Sequence, residues 1–292
     1  MFSGAITALV TPFKNGKIDY DAAEKLIEFQ IKEGINGLVP CGSTGESATM
    51  SHDEHKEFIK FCIKKVSKRV PVIAGTGSNN TAEAIELTRH AEEIGADGAL
   101  LISPYYNKPT QEGLYHHYKA IADSVKSLPL LIYNVPGRTS KNVEASTVER
   151  LAKVKNIAGV KEASANLEQM TQIIYSTPKE FVLLSGDDGL TIPIYSVGGM
   201  GVISVLSNIL PGKVAKLCSL ASQGKYEEAN KLNHELLPLA NAMFIETNPI
   251  PVKEAMAMLG LCSAELRLPL TPMSEDNKNK LRAILKQHGL LK

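Results

Sequence analysis

The chain has 292 residues, 43% hydrophobic and 22% charged, which is ample for a large buried core. Its 32 basic residues nearly balance 31 acidic ones, for a net charge of +1, and this argues against nucleic acid or an anionic membrane as partner. The apolar runs are too short to span a bilayer, and "MFSGAITALVTPFKNGK" lacks the basic start of a signal peptide, so a soluble, cytoplasmic protein is expected.

Eight short β-rich apolar runs follow in order: "AITALVTP" (5–12), "GLVPCG" (37–42), "PVIAGTG" (71–77), "GALLISP" (98–104), "PLLIYNV" (129–135), "IAGVKE" (157–162), "FVLLSGD" (181–187) and "GVISVLS" (201–207). The segments between them have helical periodicity, as at 19–34 and 51–69. Ser51 with Glu54 predicts a capping box, and Thr81 is placed as the cap of "AEAIELTRHAEEIG", with Gly95 as its stop. After residue 210 the strand signal ends, and 211–223, 225–245, 249–260 and 275–288 read as helices. Cys41, Cys62, Cys218 and Cys262 lie far apart without a CxxC pair, so buried reduced thiols are expected.

Continuous rather than alternating hydrophobicity marks strands covered on both faces, as in a parallel sheet wrapped by helices. Eight strand–helix units at a spacing of roughly 20–35 residues predict an α/β fold, a (β/α)8 TIM barrel. The expected division is a catalytic barrel over 1–223 and a small C-terminal helical extension over 224–292. An open doubly wound sheet usually starts with GxGxxG, which "GAITALVTPF" lacks.

The carboxyl ends of barrel strands form the active-site face. Here they gather Thr11, "GSTGES" (42–47), Thr76, "YYNK" (105–108), "YNVPGRT" (133–139), Lys161 and "GDD" (186–188). Lys161 ends an apolar strand. A dry barrel mouth disfavours an ammonium and releases the amine, which condenses with a ketone to an iminium, an electron sink for C–C bond chemistry. Tyr133 sits one strand earlier, within reach as the proton shuttle. The two glycines of "GSTGES" let backbone N–H groups face an anion, which points to a 2-oxo acid. Glu162, next to Lys161, is expected to point away from the barrel interior.

With these residues the chain resembles the dihydrodipicolinate synthase (4-hydroxy-tetrahydrodipicolinate synthase) family of the pyruvate-dependent class I aldolases, a superfamily that includes N-acetylneuraminate lyase. The resemblance covers nearly the whole chain, through "GSTGESATMSHDEH" (42–55), "PVIAGTGSNNTAEAI" (71–85), "SPYYNKPTQEGLYHHY" (103–118), "YNVPGRT" (133–139), "GVKEAS" (159–164), "FVLLSGDD" (181–188), "GVISV" (201–205) and "NPIPVKEAM" (248–256). It implies a Schiff base between Lys161 and pyruvate, with Tyr133 as acid/base. It also implies a hydroxyl relay through Ser43 to Tyr106, the latter reaching in from a neighbouring subunit. Ser43 stands where many synthases have threonine; the hydroxyl is kept and the methyl that biases its rotamer is lost. Thr44 and the Ile203 carbonyl are implied pyruvate contacts. Arg138 in "PGRT", absent from most neuraminate lyases, is implied to hold the carboxylate of L-aspartate 4-semialdehyde. The implied enzyme is a homotetramer (dimer of dimers) of the diaminopimelate/lysine pathway with no external cofactor and no metal. An N-acetylneuraminate or 2-keto-3-deoxy-sugar-acid lyase is the alternative within the superfamily, and a non-catalytic barrel the alternative outside it.

Lysine inhibits many such enzymes at a subunit interface, and the matching positions are Ser47, Ala48, His52, His55, Asn79, Glu83 and Tyr105. Glu83 would face the effector's ammonium groups, and Asn79 and Tyr105 its carboxylate. "HDEH" (52–55) has i, i+3 histidines instead of the i, i+4 of HExxH, which argues against zinc. His116 and His117 read as a solvated helix face, "GGMG" (198–201) as a helix-to-strand turn on the opposite face, and Asp187–Asp188 as pocket lining without metal.

Overall fold

A computed structural model describes residues 2–292. All eight expected strands form: β1 (Gly4–Ala8), β2 (Gly37–Val39), β3 (Ile73–Gly75), β4 (Gly98–Ile102), β5 (Leu130–Asn134), β6 (Ile157–Glu162), β7 (Val182–Ser185) and β8 (Gly201–Ser204). They make one 8-stranded parallel sheet in the order β2-β1-β8-β7-β6-β5-β4-β3. The ring closes between β2 and β3, where Leu38 N–H bonds Pro71 O at 3.0 Å and Gly75 N–H bonds Pro40 O at 3.0 Å. A side chain at Gly75 would lie 2.3 Å from Cys41 O, so only glycine lets the seam close this tightly.

The strands are buried on both faces, which explains their unbroken apolar runs. Inward positions, including Ile6, Val39, Ile73, Leu131, Leu184 and Ile203, form a cluster of their own that fills the barrel. Outward positions such as Leu130, Ile132 and Leu183 join the layer of helices. Alternation along β5 puts Leu131 and Tyr133 inside; their register partners on β6 are Gly159 and Lys161.

Helices follow the strands: α1 (Tyr20–Lys32), α2 (His52–Val66), α3 (Thr81–Glu93), α4 (Gln111–Ser124), α5 (Ala145–Leu151), α6 (Leu167–Ser176), α7 (Thr191–Ser196) and α8 (Pro211–Ser222). The C-terminal stretch adds α9 (Tyr226–Ala242), α10 (Ile250–Met258) and α11 (Glu275–Gln287). Leu236, Leu239, Met256 and Leu285 of these helices belong to the same core cluster as the barrel's outer layer. Among the described residues no helix is long and apolar enough to cross a membrane. The four cysteines are free, three of them buried.

Two expectations need correction. The first run, expected as strand over 5–12, stays in the sheet only to Ala8, and a small antiparallel hairpin, Phe13–Lys14 with Lys17–Ile18, follows Pro12. The cap of α3 is Asn80, whose side chain accepts from Ala82 N–H, so Thr81 is the first helical residue. Asparagine is the better N-cap, and Thr81 Oγ1 instead meets His117 Nδ1 at 2.9 Å.

The capping box at Ser51 forms as expected, with Ser51 Oγ accepting from Glu54 N–H and Glu54 accepting from Ser51 N–H. Arg267 grips the same Glu54 carboxylate with both guanidinium nitrogens, at 2.6 and 2.8 Å, and holds its pKa down to about 2. Because the folded-state value is depressed, this contribution to stability is complete above the ordinary carboxylate range and is lost as pH falls toward that value. The melting-temperature deficit of Glu54→Gln should therefore shrink between neutral pH and acid; a deficit independent of pH would contradict this account.

Candidate active site

Lys161 is the penultimate residue of β6 and only 6% exposed, although it carries an amine. Its Nζ stands 4.1 Å from the centre of the Tyr133 ring on the neighbouring strand. Just past β7, a side chain at Gly186 would come within 2.6 Å of Ala163 Cβ and 3.1 Å of Lys161 Cε, so glycine leaves the lysine its room. Around them opens a cavity of about 320 Å³ whose walls include Ser43, Thr44, Tyr133, Arg138, Lys161 and Asp187.

Opposite the lysine runs the turn 42–47. Gly42 O accepts from Gly45 N–H at 3.1 Å, Ser43 O accepts from Glu46 N–H at 3.2 Å, and Glu46 takes the left-handed conformation at φ 54°. This winding leaves the Ser43 and Thr44 amides without a protein acceptor among the described residues, as an anion-binding nest requires. Thr44 Oγ1 accepts from Asn248 Nδ2 at 2.9 Å, and Arg138 Nη2 donates to the Asn248 carbonyl at 2.9 Å. Asn248 thus ties the anion nest to the arginine.

Not every expected residue reaches this cavity. The Ile203 side chain fills the barrel interior and does not line it. Tyr106, at φ 68°, projects away from the chain with 90% of its surface exposed. Thr11 and Thr76 are buried supports: Thr11 Oγ1 donates to Gly45 O at 2.7 Å, and Thr76 pairs with Thr88 at 2.9 Å. Of the two aspartates expected to line the pocket, Asp187 does so. Asp188 instead turns to the Ser204 hydroxyl and the Val205 and Leu206 amides, and burial raises its pKa. Glu162 points away from the barrel interior as expected, yet it is fully buried. It accepts from Asn134 Nδ2, Ser164 N–H and Gln169 Nε2 at 2.7–3.1 Å.

A second cavity of about 650 Å³ adjoins the first; Ser43, Tyr133, Arg138 and Asn248 belong to both walls. It brings together Ser47, Ala48, His52, His55, Glu83 and Tyr105. Asn79 lies outside the wall and is tied to it through the Tyr105 carbonyl, at 3.2 Å. Glu83 is already engaged, by His52 Nε2 at 2.6 Å and by Ser78 Oγ at 2.5 Å. His55 bonds Gly75 O at 2.7 Å, and burial lowers its pKa. The "HDEH" histidines are thus spent on separate contacts, and among the described residues no group of three or more His, Cys, Asp or Glu side chains is placed to hold a metal ion. His116 is exposed as expected. His117 is not: it is buried against Thr81, and desolvation pushes its pKa down to about 4.

Residues the sequence reading passed over complete the site from far along the chain. Asn248 arrives just before α10, and Lys253 on α10 is completely buried in an ion pair with Glu46 at 2.6 Å. Burial pulls the Lys253 pKa down, opposed by Glu46. The available signal was "NPIPVK", where an asparagine precedes an apolar helix and a lysine interrupts it.

A buried amine beside a tyrosine, facing an anion nest at the mouth of an eight-stranded barrel, defines a lyase of the class I aldolase type. Comparison with known proteins narrows the class. The model of the dihydrodipicolinate synthetase family matches residues 1–288. A relative from Oleidesulfovibrio alaskensis, named 4-hydroxy-tetrahydrodipicolinate synthase, is 58% identical over 291 residues, covering 99% of each chain. The crystal structure of dihydrodipicolinate synthase from Aquifex aeolicus superposes with a TM-score of 0.98 at 48% identity over 99% of each chain. That of the Cyanidioschyzon merolae enzyme with lysine bound superposes at 0.97, with 42% identity over 99% of each chain. The chain belongs to the dihydrodipicolinate synthetase family.

Proposed function

We propose that the chain is a 4-hydroxy-tetrahydrodipicolinate synthase, condensing pyruvate with L-aspartate 4-semialdehyde in the diaminopimelate/lysine pathway of the cytoplasm. The carrying observation is the inward-facing Lys161, 4.1 Å from the Tyr133 ring and across the cavity from the open Ser43 and Thr44 amides. The Lys161 amine adds to C2 of pyruvate, whose carboxylate is assigned to those amides and the Thr44 hydroxyl, and the resemblance adds the Ile203 carbonyl as a contact. Loss of water gives the iminium. Removal of a C3 proton gives the enamine, whose C3 attacks the aldehyde carbon. The resulting alkoxide takes a proton, and the semialdehyde's amine then adds to C2 and expels the Lys161 amine, closing the ring. Tyr133 carries protons in these steps, relayed through Ser43 and through Tyr106 of a second copy; no external cofactor takes part.

Arg138 is assigned to the semialdehyde's carboxylate, through charge-assisted hydrogen bonds. Among the described residues the Asn248 Oδ1, beside this arginine's hydrogen bond to the Asn248 carbonyl, is buried without a partner. The 58% identity to a relative named 4-hydroxy-tetrahydrodipicolinate synthase favours the synthase over the sugar-acid lyase. The exposed ring of Tyr106, held at positive φ, supports a contact in which this residue is shared with a second copy, as in the homotetramer that the resemblance implies. Residues 224–292 are an extension of the barrel over 1–223, and they deliver Asn248 and Lys253 to its mouth.

The test combines two measurements. Reduction with borohydride in the presence of pyruvate should add one pyruvyl mass to the protein, and aspartate semialdehyde should then be consumed in turnover. An adduct without semialdehyde-dependent turnover would point to a sugar-acid lyase, and no adduct to a non-catalytic barrel.

The second cavity is assigned to lysine, supported by the convergence of six of the seven expected positions and by the lysine-bound relative. Pre-engagement of Glu83 by His52 and Ser78 means that an arriving ammonium must compete for it, so inhibition is expected at millimolar rather than micromolar lysine (a binding energy nearer 4 than 8 kcal/mol on the usual scale, roughly). Unchanged initial rates across the millimolar range would remove this assignment.

A further inference from the structure

The buried pair Lys253–Glu46 stands directly behind the anion nest, and no step of the condensation uses it. Resting on the pyruvate reading above, we propose that this pair is a positioning device. It holds the turn 42–47 so that the Ser43 and Thr44 amides face the substrate carboxylate.

Both side chains are 0% exposed. Lys253 Nζ donates to Glu46 Oε1 at 2.6 Å and to the Thr11 carbonyl at 3.0 Å, and it stands 4.4 Å from the centre of the Phe13 ring. The other Glu46 oxygen accepts from the Arg267 amide at 3.1 Å, while the Arg267 guanidinium lies over Phe13 at 4.3 Å. Every polar atom of the Glu46 carboxylate is therefore fixed by segments that follow the barrel in sequence. The turn needs such a hold, because Cys41 and Glu46 at its ends both occupy the sparsely populated left-handed region, at φ 56° and 54°. Thr11 adds a second anchor through its hydrogen bond to Gly45 O, at 2.7 Å. A buried ion pair contributes little net stability compared with apolar residues of similar shape. Its location two residues from the nest, with the loop backbone bent around it, fits a role in placing the amides.

The double variant Lys253→Met/Glu46→Gln removes both charges together and leaves neither ion unpaired. Its test is a pyruvate titration of the borohydride-fixed adduct, read by intact mass alongside steady-state kinetics. The pyruvate concentration for half-maximal adduct, and KM for pyruvate, should rise about tenfold, with a smaller change in kcat and in KM for the semialdehyde. A merely structural pair would lower the melting temperature or the active fraction without moving half-saturation. Thr11→Val, which cuts only the anchor on Gly45, should shift half-saturation in the same direction and serves if the double variant does not fold. Half-saturation equal to that of the unmodified protein in the folded variants overturns the positioning role. No adduct in the unmodified protein overturns the pyruvate reading instead, so the two failures are distinguishable.

Discussion

Lys161→Ala is expected to give no mass adduct after borohydride treatment with pyruvate, and to lower kcat/KM by about 10⁴-fold or more. The lysine Nζ is the one amine in the wall of the first cavity, at the rim end of β6, so no neighbouring group takes its place. The barrel should tolerate the change. Among the described residues the Lys161 side chain makes no hydrogen bond, and the strand register with β5 and β7 is carried by the backbone. Circular dichroism and melting temperature therefore serve as controls. Persistence of the adduct in this variant would show that another nucleophile holds pyruvate, and the assignment of the whole site would fall with it.

Tyr133→Phe is expected to lower kcat by about 10²–10³-fold, the usual loss when one positioned acid/base group is removed. The ring stays in place in this variant, packed in the barrel-interior cluster and facing Lys161, so only the hydroxyl is lost. The adduct should still form, more slowly, because the amine and the anion nest are intact. Single-turnover mixing with pyruvate separates these effects. A rate close to that of the unmodified protein would assign the proton transfers elsewhere.

The fold was legible because its signals are local and repeated. Each strand announces itself as a run of β-branched and aliphatic residues buried on both faces, and eight such runs at regular spacing leave few architectures. Lys161 was legible for the opposite reason: a charge at the end of "IAGV" violates the pattern around it. Alternation then gave the directions of Lys161 and Glu162 without a structure, although not the full burial of Glu162 beneath Gln169 and Asn134. What stayed hidden depends on contacts between distant segments. Thr11 and Thr76 lie near strand ends just as Ser43 and Thr44 do, and only the packed barrel shows that their hydroxyls turn to Gly45 and Thr88. His117 has the same neighbours in sequence as exposed His116, and its burial follows from where α3 meets α4. Asp188 likewise gave no local sign that three donors near residue 205 would claim it.

The ties between Asn248 and Thr44, Lys253 and Glu46, and Arg267 and Glu46 span 204, 207 and 221 residues. During translation the turn 42–47 leaves the ribosome more than 200 residues ahead of these fasteners. At roughly 5–20 residues per second, a gap of that length is a wait of about 10–40 s. Through that interval the turn has only its nearer tie, from Thr11 Oγ1 to Gly45 O, and its own backbone bonds to hold it. The full set of ties on this turn is thus completed late, and a ribosome stalled before residue 248 leaves a chain in which the turn lacks all three.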